Sequence, residues 1–384
     1  MPRRVLPALL LALAAPALAD VVWEPFVEPY GQIFPSLELA TATLPADPAA
    51  EDPTLIGDPQ GLIGVSLEGA RPGARFELVV RVPGWARDSR LAGRIPQGDG
   101  DITLTPTIAW DYPALAANRQ PRPATVEFEL RLAGEVVETR TLRVRLHSVN
   151  DALYYIDEPD DAEDLDFNWL FAAYVHEEHP AVEQILKEAL DAGVVDGFSG
   201  YQQADRDAVL KQAHAVWHVL QQRGIRYSSI TRTASEHTSV RSQHVRFIDE
   251  SLAMSQANCV DGSVLIASVL RKIDLAPVLV LVPGHMLVGF ALDARGERWA
   301  WLETTLLGVA PPTRLAGGPR AQHEGKAKLA AAIDASLASF EAALDAGQRQ
   351  IDAADGAFDD PHNRDYQLID IQAARELGVM PIAR

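Results

Sequence analysis

Between residues 60 and 149 the chain alternates apolar and polar positions. In TVEFELRL, Val126, Phe128, Leu130 and Leu132 are interleaved with Glu127, Glu129 and Arg131. FELVVRV places Phe76, Leu78, Val80 and Val82 on one side, and TLRVRL does the same with Leu142, Val144 and Leu146. A period of two with one apolar face is the signature of half-buried strands, antiparallel by preference. Ala133-Gly134-Glu135 reads as a hairpin turn between two of them. Short strands repeated over such a stretch predict a small antiparallel β-sandwich of the Ig-like type. Residues 40–60, rich in Pro, Asp and Gly, read as an irregular lead-in.

The period changes beyond DEPDDAEDLD, residues 157–166, an acidic run that reads as a solvated linker. Helices are predicted over 164–176 and 181–192, punctuated by Pro180, and over 203–223. In the last of these, Val209, Leu210, Ala213, Val216, Trp217 and Leu220 fall at spacings of three and four. After a Ser/Thr-rich coil, SSITRTASEHTS, residues 259–272 are apolar nearly all round, as a buried helix requires. Arg271 and Lys272 stand in its last turn, where cations suit the dipole, and Pro277 lies past its end.

Two β-rich runs follow, 278–282 and 286–292, split by Pro283-Gly284, and a third covers 298–305. A five-residue loop over 293–297 sets Leu292 opposite Arg298 and Glu303 opposite Leu287, with His285 as the diagonal neighbour of Glu303 on the same face. A slip of one residue would turn Glu303 away. Residues 322–348 read as one more helix, followed by a loop at DDPHNRDY and a short tail. Strands followed by helices and a second set of strands give an α+β class. The expected order is a β-sandwich over 20–150, an acidic linker and helical region over 151–200, and a second domain over 201–384.

The first nineteen residues, MPRRVLPALLLALAAPALA, pair an Arg-bearing start with a short apolar run and an Ala-Leu-Ala cleavage site. That is the form of a secretory signal peptide, too short in its apolar part to span a bilayer. No later run is long enough to cross a membrane, so a periplasmic or secreted protein without a membrane span is expected. Hydrophobic residues at 47% and charged residues at 23% support a packed core rather than disorder. A formal net charge of −19 argues against nucleic acid or an anionic membrane as partner. No phosphate-cradling loop of the G-x-x-x-x-G-K type occurs, and no cofactor is expected.

Composition matters most at one residue. Cys259 is the sole cysteine, so an exported chain carries a thiol that no internal disulfide explains. It sits at the first turn of the predicted helix, where free N–H groups and the positive end of the dipole favour thiolate, the form that attacks. His285 is placed to take the thiol proton and return it to a leaving group. Glu303 is placed to fix the imidazole tautomer and steady its cation. The Cys259 backbone N–H, with the side chain of Gln256 or Asn258, supplies candidate oxyanion donors.

The segment NCVDGSVLIASVLRKIDLAPVLVLVPGHMLVGF, followed by WAWLETT, resembles the core of transglutaminase-like cysteine peptidases of the papain-like fold group. The upstream GIRYSSIT resembles the approach to the cysteine in that family, and the likeness covers about residues 205–306. It implies Cys259, His285 and Glu303 as the catalytic trio, with Glu303-Thr304-Thr305 where the family often has Asp-Pro-Thr. Glu for Asp and Thr for Pro are departures, and Met286-Leu287 replaces the aromatic residue that usually follows the histidine. The resemblance implies a thiol hydrolase or acyl transferase acting on amide bonds. In an envelope compartment its substrates would be peptides, isopeptides or peptidoglycan stem peptides.

Blander readings compete. A single buried cysteine is often an inert small hydrophobe. A catalytically silent relative would bind peptides or envelope components without cleaving them. Trp299 and Trp301, on the face of Glu303, read as core or cleft wall. His176 and His179, with His214 and His218, fall at spacings that suit zinc, but HEEH is not a metalloprotease signature and no metal is assigned. The acidic run lacks the glycine and ligand spacing of a calcium loop. No G-x-S-x-G elbow supports a serine mechanism.

Overall fold

The alternating segments become paired strands. In the computed structural model, which describes residues 21–44, 52–97, 100–158, 164–229, 237–308, 319–360 and 363–382, the architecture is mixed α+β with several sheets. The described residues divide into two compact units. The expected signal peptide, residues 1–19, lies outside the described residues.

The first unit draws on residues up to Gly31, on Ala46–Asp111 and on Ala124–Val144. Strands Glu135–Leu146, Arg122–Leu132, Arg75–Arg81 and Ser89–Arg94 lie side by side in that order. Phe76 faces Leu132, Leu78 faces Leu130 and Val80 faces Phe128, so the apolar positions meet on one buried face. The other face carries Glu129, which pairs with both Arg81 and Arg131. In a second sheet Ile63–Glu68 pairs antiparallel with Val22–Val27 and with Ile102–Thr105. Leu55–Gly57 joins it in parallel, within a stretch expected to be irregular, because three residues are too short to display an alternation.

Parts of the expected first domain belong instead to the second unit: residues 32–44, 112–123 and 145–150. Buried hydrogen bonds decide this. Ser36 Oγ donates to the Asp151 carbonyl at 2.6 Å, and Asn118 Nδ2 donates to the His147 carbonyl at 2.6 Å. The expected linker over 151–200 is also revised. Asp151–Ile156 is a largely buried strand between Leu165–Asp166 and Val240–His244, while residues 159–163 of the acidic run lie outside the described residues. The helix expected over 164–176 is that short strand followed by a 3₁₀ turn, Asn168–Tyr174. Asp166 Oδ1 accepts from the Asn168 N–H at 2.7 Å, a local bond that competes with helix.

The helices Pro180–Ala192, Arg206–Gln222 and Cys259–Lys272 fall where the periodicity places them. The last is here called the cysteine helix. It packs on the other two and on an antiparallel sheet ordered Trp299–Leu302, His285–Ala291, Pro277–Val282 and Gln367–Asp370. Its C-terminal cations are paired to HEEH: Arg271 to Glu177 and Lys272 to Glu178, both at 2.6 Å. The fourth strand was expected as tail, and the helix expected over 322–348 runs longer, Pro319–Ala354. This long helix lies on Arg206–Gln222 through a polar layer. His214 Nε2 and His218 Nδ1 each lie 2.8 Å from Ser336 Oγ, and Trp217 and Gln221 donate to Ser339 Oγ. Two of the four histidines weighed for zinc are thus engaged with a serine, and no metal-holding group of three His, Cys, Asp or Glu exists among the described residues.

Candidate active site

The start of the cysteine helix is fixed by a reciprocal cap. Asn258 Oδ1 accepts from the Asp261 N–H at 2.9 Å, and Asp261 Oδ2 accepts from the Asn258 N–H at 3.0 Å. Such caps are worth about 1 kcal/mol. Asp261 is fully buried, and its carboxylate also takes the Arg246 N–H at 2.8 Å and Arg246 Nη1 at 2.7 Å. This lattice sets Cys259 at the first helical position, half-buried, where first-turn N–H groups have no partner within the helix.

His285 opens its strand opposite Val282, and the next strand pairs Val288 with Leu302 and Gly289 with Trp301. That is the register expected from a five-residue loop. It carries Glu303 to the same side as His285, and His285 Nε2–H donates to Glu303 Oε2 at 2.8 Å. The histidine side chain is 23% exposed and the glutamate 7%.

Two further side chains hold the carboxylate: Thr305, which the resemblance set in the Glu303-Thr304-Thr305 run, and Gln350, which sequence did not single out. Thr305 donates to Oε1 from its N–H at 2.9 Å and its hydroxyl at 2.6 Å. Gln350, on the long helix, donates Nε2 to Oε2. The Ala343 carbonyl of that helix accepts the Glu303 N–H at 3.1 Å. Two glycines permit these approaches. A Cβ on Gly262 would meet Thr304 at 3.0 Å, and Thr304 Oγ1 reaches the Cys259 carbonyl at 3.3 Å. A Cβ on Gly347 would stand 2.3 Å from the Trp301 carbonyl oxygen, so only glycine lets the long helix lie against the strand end. Trp299 and Trp301 stack on each other and pack on Val278, Val280, Val282 and Leu287.

The electrostatics follow from this packing. Burial pulls the His285 imidazolium down, but hydrogen bonding with Cys259 and Glu303, and their charge, carry its pKa up to about 10. Burial would raise the Glu303 carboxyl, yet its bonds from His285 and Thr305 hold it at about 2. At neutral pH the pair is therefore imidazolium and carboxylate. The phenol of Tyr227 is pushed up by burial and then by Cys259 and Glu303, which places this half-exposed ring beside the same charges. Its only sequence signal was the GIRYSSIT context.

The two oxyanion candidates fall differently. Asn258 is buried and its side-chain oxygen is committed to the cap, leaving only its amide nitrogen as a donor. Gln256 is exposed, on a two-residue strand that pairs in parallel with Arg226.

Cys259 and His285 face a cleft of about 230 Å³. Its walls come from the three-stranded sheet, through Tyr154, Tyr155, Arg241 and Gln243, and from Asn168, Phe171, Leu281, Met286 and Arg364. The pairing of Asp151–Ile156 with Val240–His244 is broken by a bulge between Leu153 and Tyr155. The bulge lets two successive tyrosines, which would otherwise point to opposite faces, border one cleft.

No family model matches the chain, and no curated protein is matched by it.

Proposed function

We propose that this chain is a thiol-dependent amide-bond hydrolase or acyl transferase, with Cys259 as nucleophile, His285 as proton carrier and Glu303 as the residue that steadies it. The observation that carries the reading is the 2.8 Å His285–Glu303 bond on the cleft that also holds the only thiol. An imidazolium beside the sulfur at a helix start favours thiolate. The thiolate adds to an amide carbonyl, the Cys259 backbone N–H is poised for the developing oxyanion, and His285 gives its proton to the departing amine. Water or a second amine then takes the acyl group from sulfur, with His285 accepting the proton it brings.

The order of cysteine helix, histidine strand and glutamate strand supports kinship with transglutaminase-like cysteine peptidases of the papain-like fold group. The two sheets of the first unit support an Ig-like sandwich. The residue pattern of positions 1–19 supports export to the periplasm or beyond, with peptides, isopeptides or peptidoglycan stem peptides as substrates. A second reading, a silent peptide- or envelope-binding protein, follows if the thiol is inert.

Iodoacetamide labelling of the native protein across pH separates them. A thiol that reacts well below pH 8 supports the enzyme; one protected until the protein unfolds supports the binding protein. Peptide hydrolysis or amine incorporation that persists in Cys259→Ala would exclude Cys259 as nucleophile.

A further inference from the structure

Acyl transfer at a thiol puts negative charge on the carbonyl oxygen, which is best held by donors set in place beforehand. The first-turn N–H of Cys259 supplies one. The side chains expected to give a second are badly placed. Asn258 is buried, with its side-chain oxygen tied into the helix cap. Gln256 stands on the two-residue strand Gln256–Ala257, where successive side chains point to opposite faces. Ala257 takes the inner face: a Cβ on Gly262 would lie 3.9 Å from its methyl group and 3.0 Å from Thr304 Oγ1. Gln256 therefore turns away from the first turn of the cysteine helix.

The neighbouring strand brings another donor to that inner face. Arg226–Tyr227 runs parallel to Gln256–Ala257, with Tyr227 paired to Ala257. The Arg226 N–H donates to the Ser255 carbonyl at 3.1 Å, and the Ser228 N–H to the Ala257 carbonyl at 2.9 Å. Side chains of paired residues share a face, so Tyr227 follows Ala257 towards Thr304. The 3₁₀ turn Thr304–Leu306, which starts one residue after Glu303, packs on the same strand, and Thr304 Oγ1 reaches the Cys259 carbonyl at 3.3 Å. Burial, and then the charges of Cys259 and Glu303, raise the Tyr227 phenol above its ordinary range, so it remains a hydrogen-bond donor at neutral pH. The residue is 45% exposed, and its hydroxyl has no hydrogen-bond partner among the described residues. Such a group is accessible and uncommitted, and it can turn to an oxygen whose charge appears only during reaction.

We propose that Tyr227 is a catalytic residue whose hydroxyl, with the Cys259 backbone N–H, forms the oxyanion site. As the thiolate sulfur bonds to the carbonyl carbon, the carbonyl electron pair moves onto oxygen, which accepts from both donors. The pair returns as the carbon–nitrogen bond breaks, and the departing nitrogen takes the His285 proton. Tyr227 keeps its own proton throughout. The proposal rests on Cys259 being the nucleophile, and it assigns Tyr227 to the carbonyl oxygen rather than to the activation of the sulfur.

Two small electrophiles on the full-length protein test it. p-Nitrophenyl acetate acylates a thiol through a tetrahedral oxyanion, whereas iodoacetamide alkylates it by displacement at a saturated carbon and forms none. Tyr227→Phe keeps the ring and removes only the hydroxyl. It is expected to slow acylation of Cys259, read as the burst of p-nitrophenolate, by about a hundredfold, with the alkylation rate at the wild-type value. Both rates are read on one thiol, so their ratio does not depend on the fraction of folded protein. An unchanged ratio overturns the proposal, whether neither rate falls or both fall together; a joint fall would set the hydroxyl to work on the sulfur instead. A wild-type thiol that iodoacetamide modifies and p-nitrophenyl acetate does not also overturns the donor, while leaving the thiol reactive. A burst that persists in Cys259→Ala is a different failure: it removes the nucleophile, and the oxyanion site with it.

Discussion

At the scale of single residues, Glu303 governs the charge on His285. Oε2 receives both the imidazole N–H and the Gln350 amide, while Oε1 is occupied by Thr305. The protonated ring is the form that holds a thiolate and supplies a proton to the leaving group, so activity is lost as pH rises through its pKa. With that value raised to about 10, the alkaline limb of the rate profile lies far above the usual histidine range. Glu303→Gln removes the negative charge, moves the limb down towards that range, and lowers turnover by roughly 10²- to 10⁴-fold. Gln350→Leu acts in the opposite direction. It strips a competing donor from Oε2, strengthens the carboxylate as acceptor and moves the limb up, with little change in the plateau rate. The pH dependence of peptide hydrolysis or amine incorporation reads both, and shifts of the same sign would refute this account of the pair.

At the scale of elements, the site is assembled from the cysteine helix, the hairpin beside it and the long helix, and these were not equally legible in sequence. The cysteine helix announced itself through a nearly continuous apolar surface and terminal cations, both local properties. The register that brings His285 to Glu303 followed from loop length alone, because side chains in a strand have a period of two. The contribution of the long helix had no local signal. Gln350 and Ala343 reach Glu303 from some forty positions away, and Asn168 stands on a 3₁₀ turn where the sequence predicts a helix. The one trace was Gly347, a glycine inside a helix that costs about 1 kcal/mol and therefore suggests a close approach. Its replacement isolates the role of the element. Gly347→Val drives a side chain into the Trp301 carbonyl, shifts the helix from the strand end and destabilises the protein by about 1–3 kcal/mol in urea unfolding. Moving the supports of Glu303 in this way lowers turnover by about a hundredfold in protein that remains folded. Full activity in a folded Gly347→Val protein would remove the long helix from the site.

At the scale of the whole molecule, groups lying well apart in the sequence give folding stability a definite dependence on pH. His214 is held at about 4 by burial and then by the nearby His218, and His218 is lowered by burial. An unfolded chain protonates both near pH 6.5, so stability present above that value is lost as pH falls towards 4. Glu303 and Asp151 follow. Burial raises both, but hydrogen bonds from His285 and Thr305 hold the first at about 2, and bonds from His147 and His244 the second. Their contribution is present above the ordinary carboxyl range and disappears as pH falls through 2. His285 has the opposite sign. Its raised pKa contributes fully below 6.5, and that contribution is lost as pH rises through about 10. Melting temperature is therefore expected to hold a broad maximum around neutrality, with a two-stage decline in acid and a single decline in alkali. His214→Gln keeps a donor for Ser336 Oγ and cannot protonate, so it flattens the first acid stage while leaving the second and the alkaline limb in place. An acid profile identical to wild type in that variant would show that His214 does not carry the first stage.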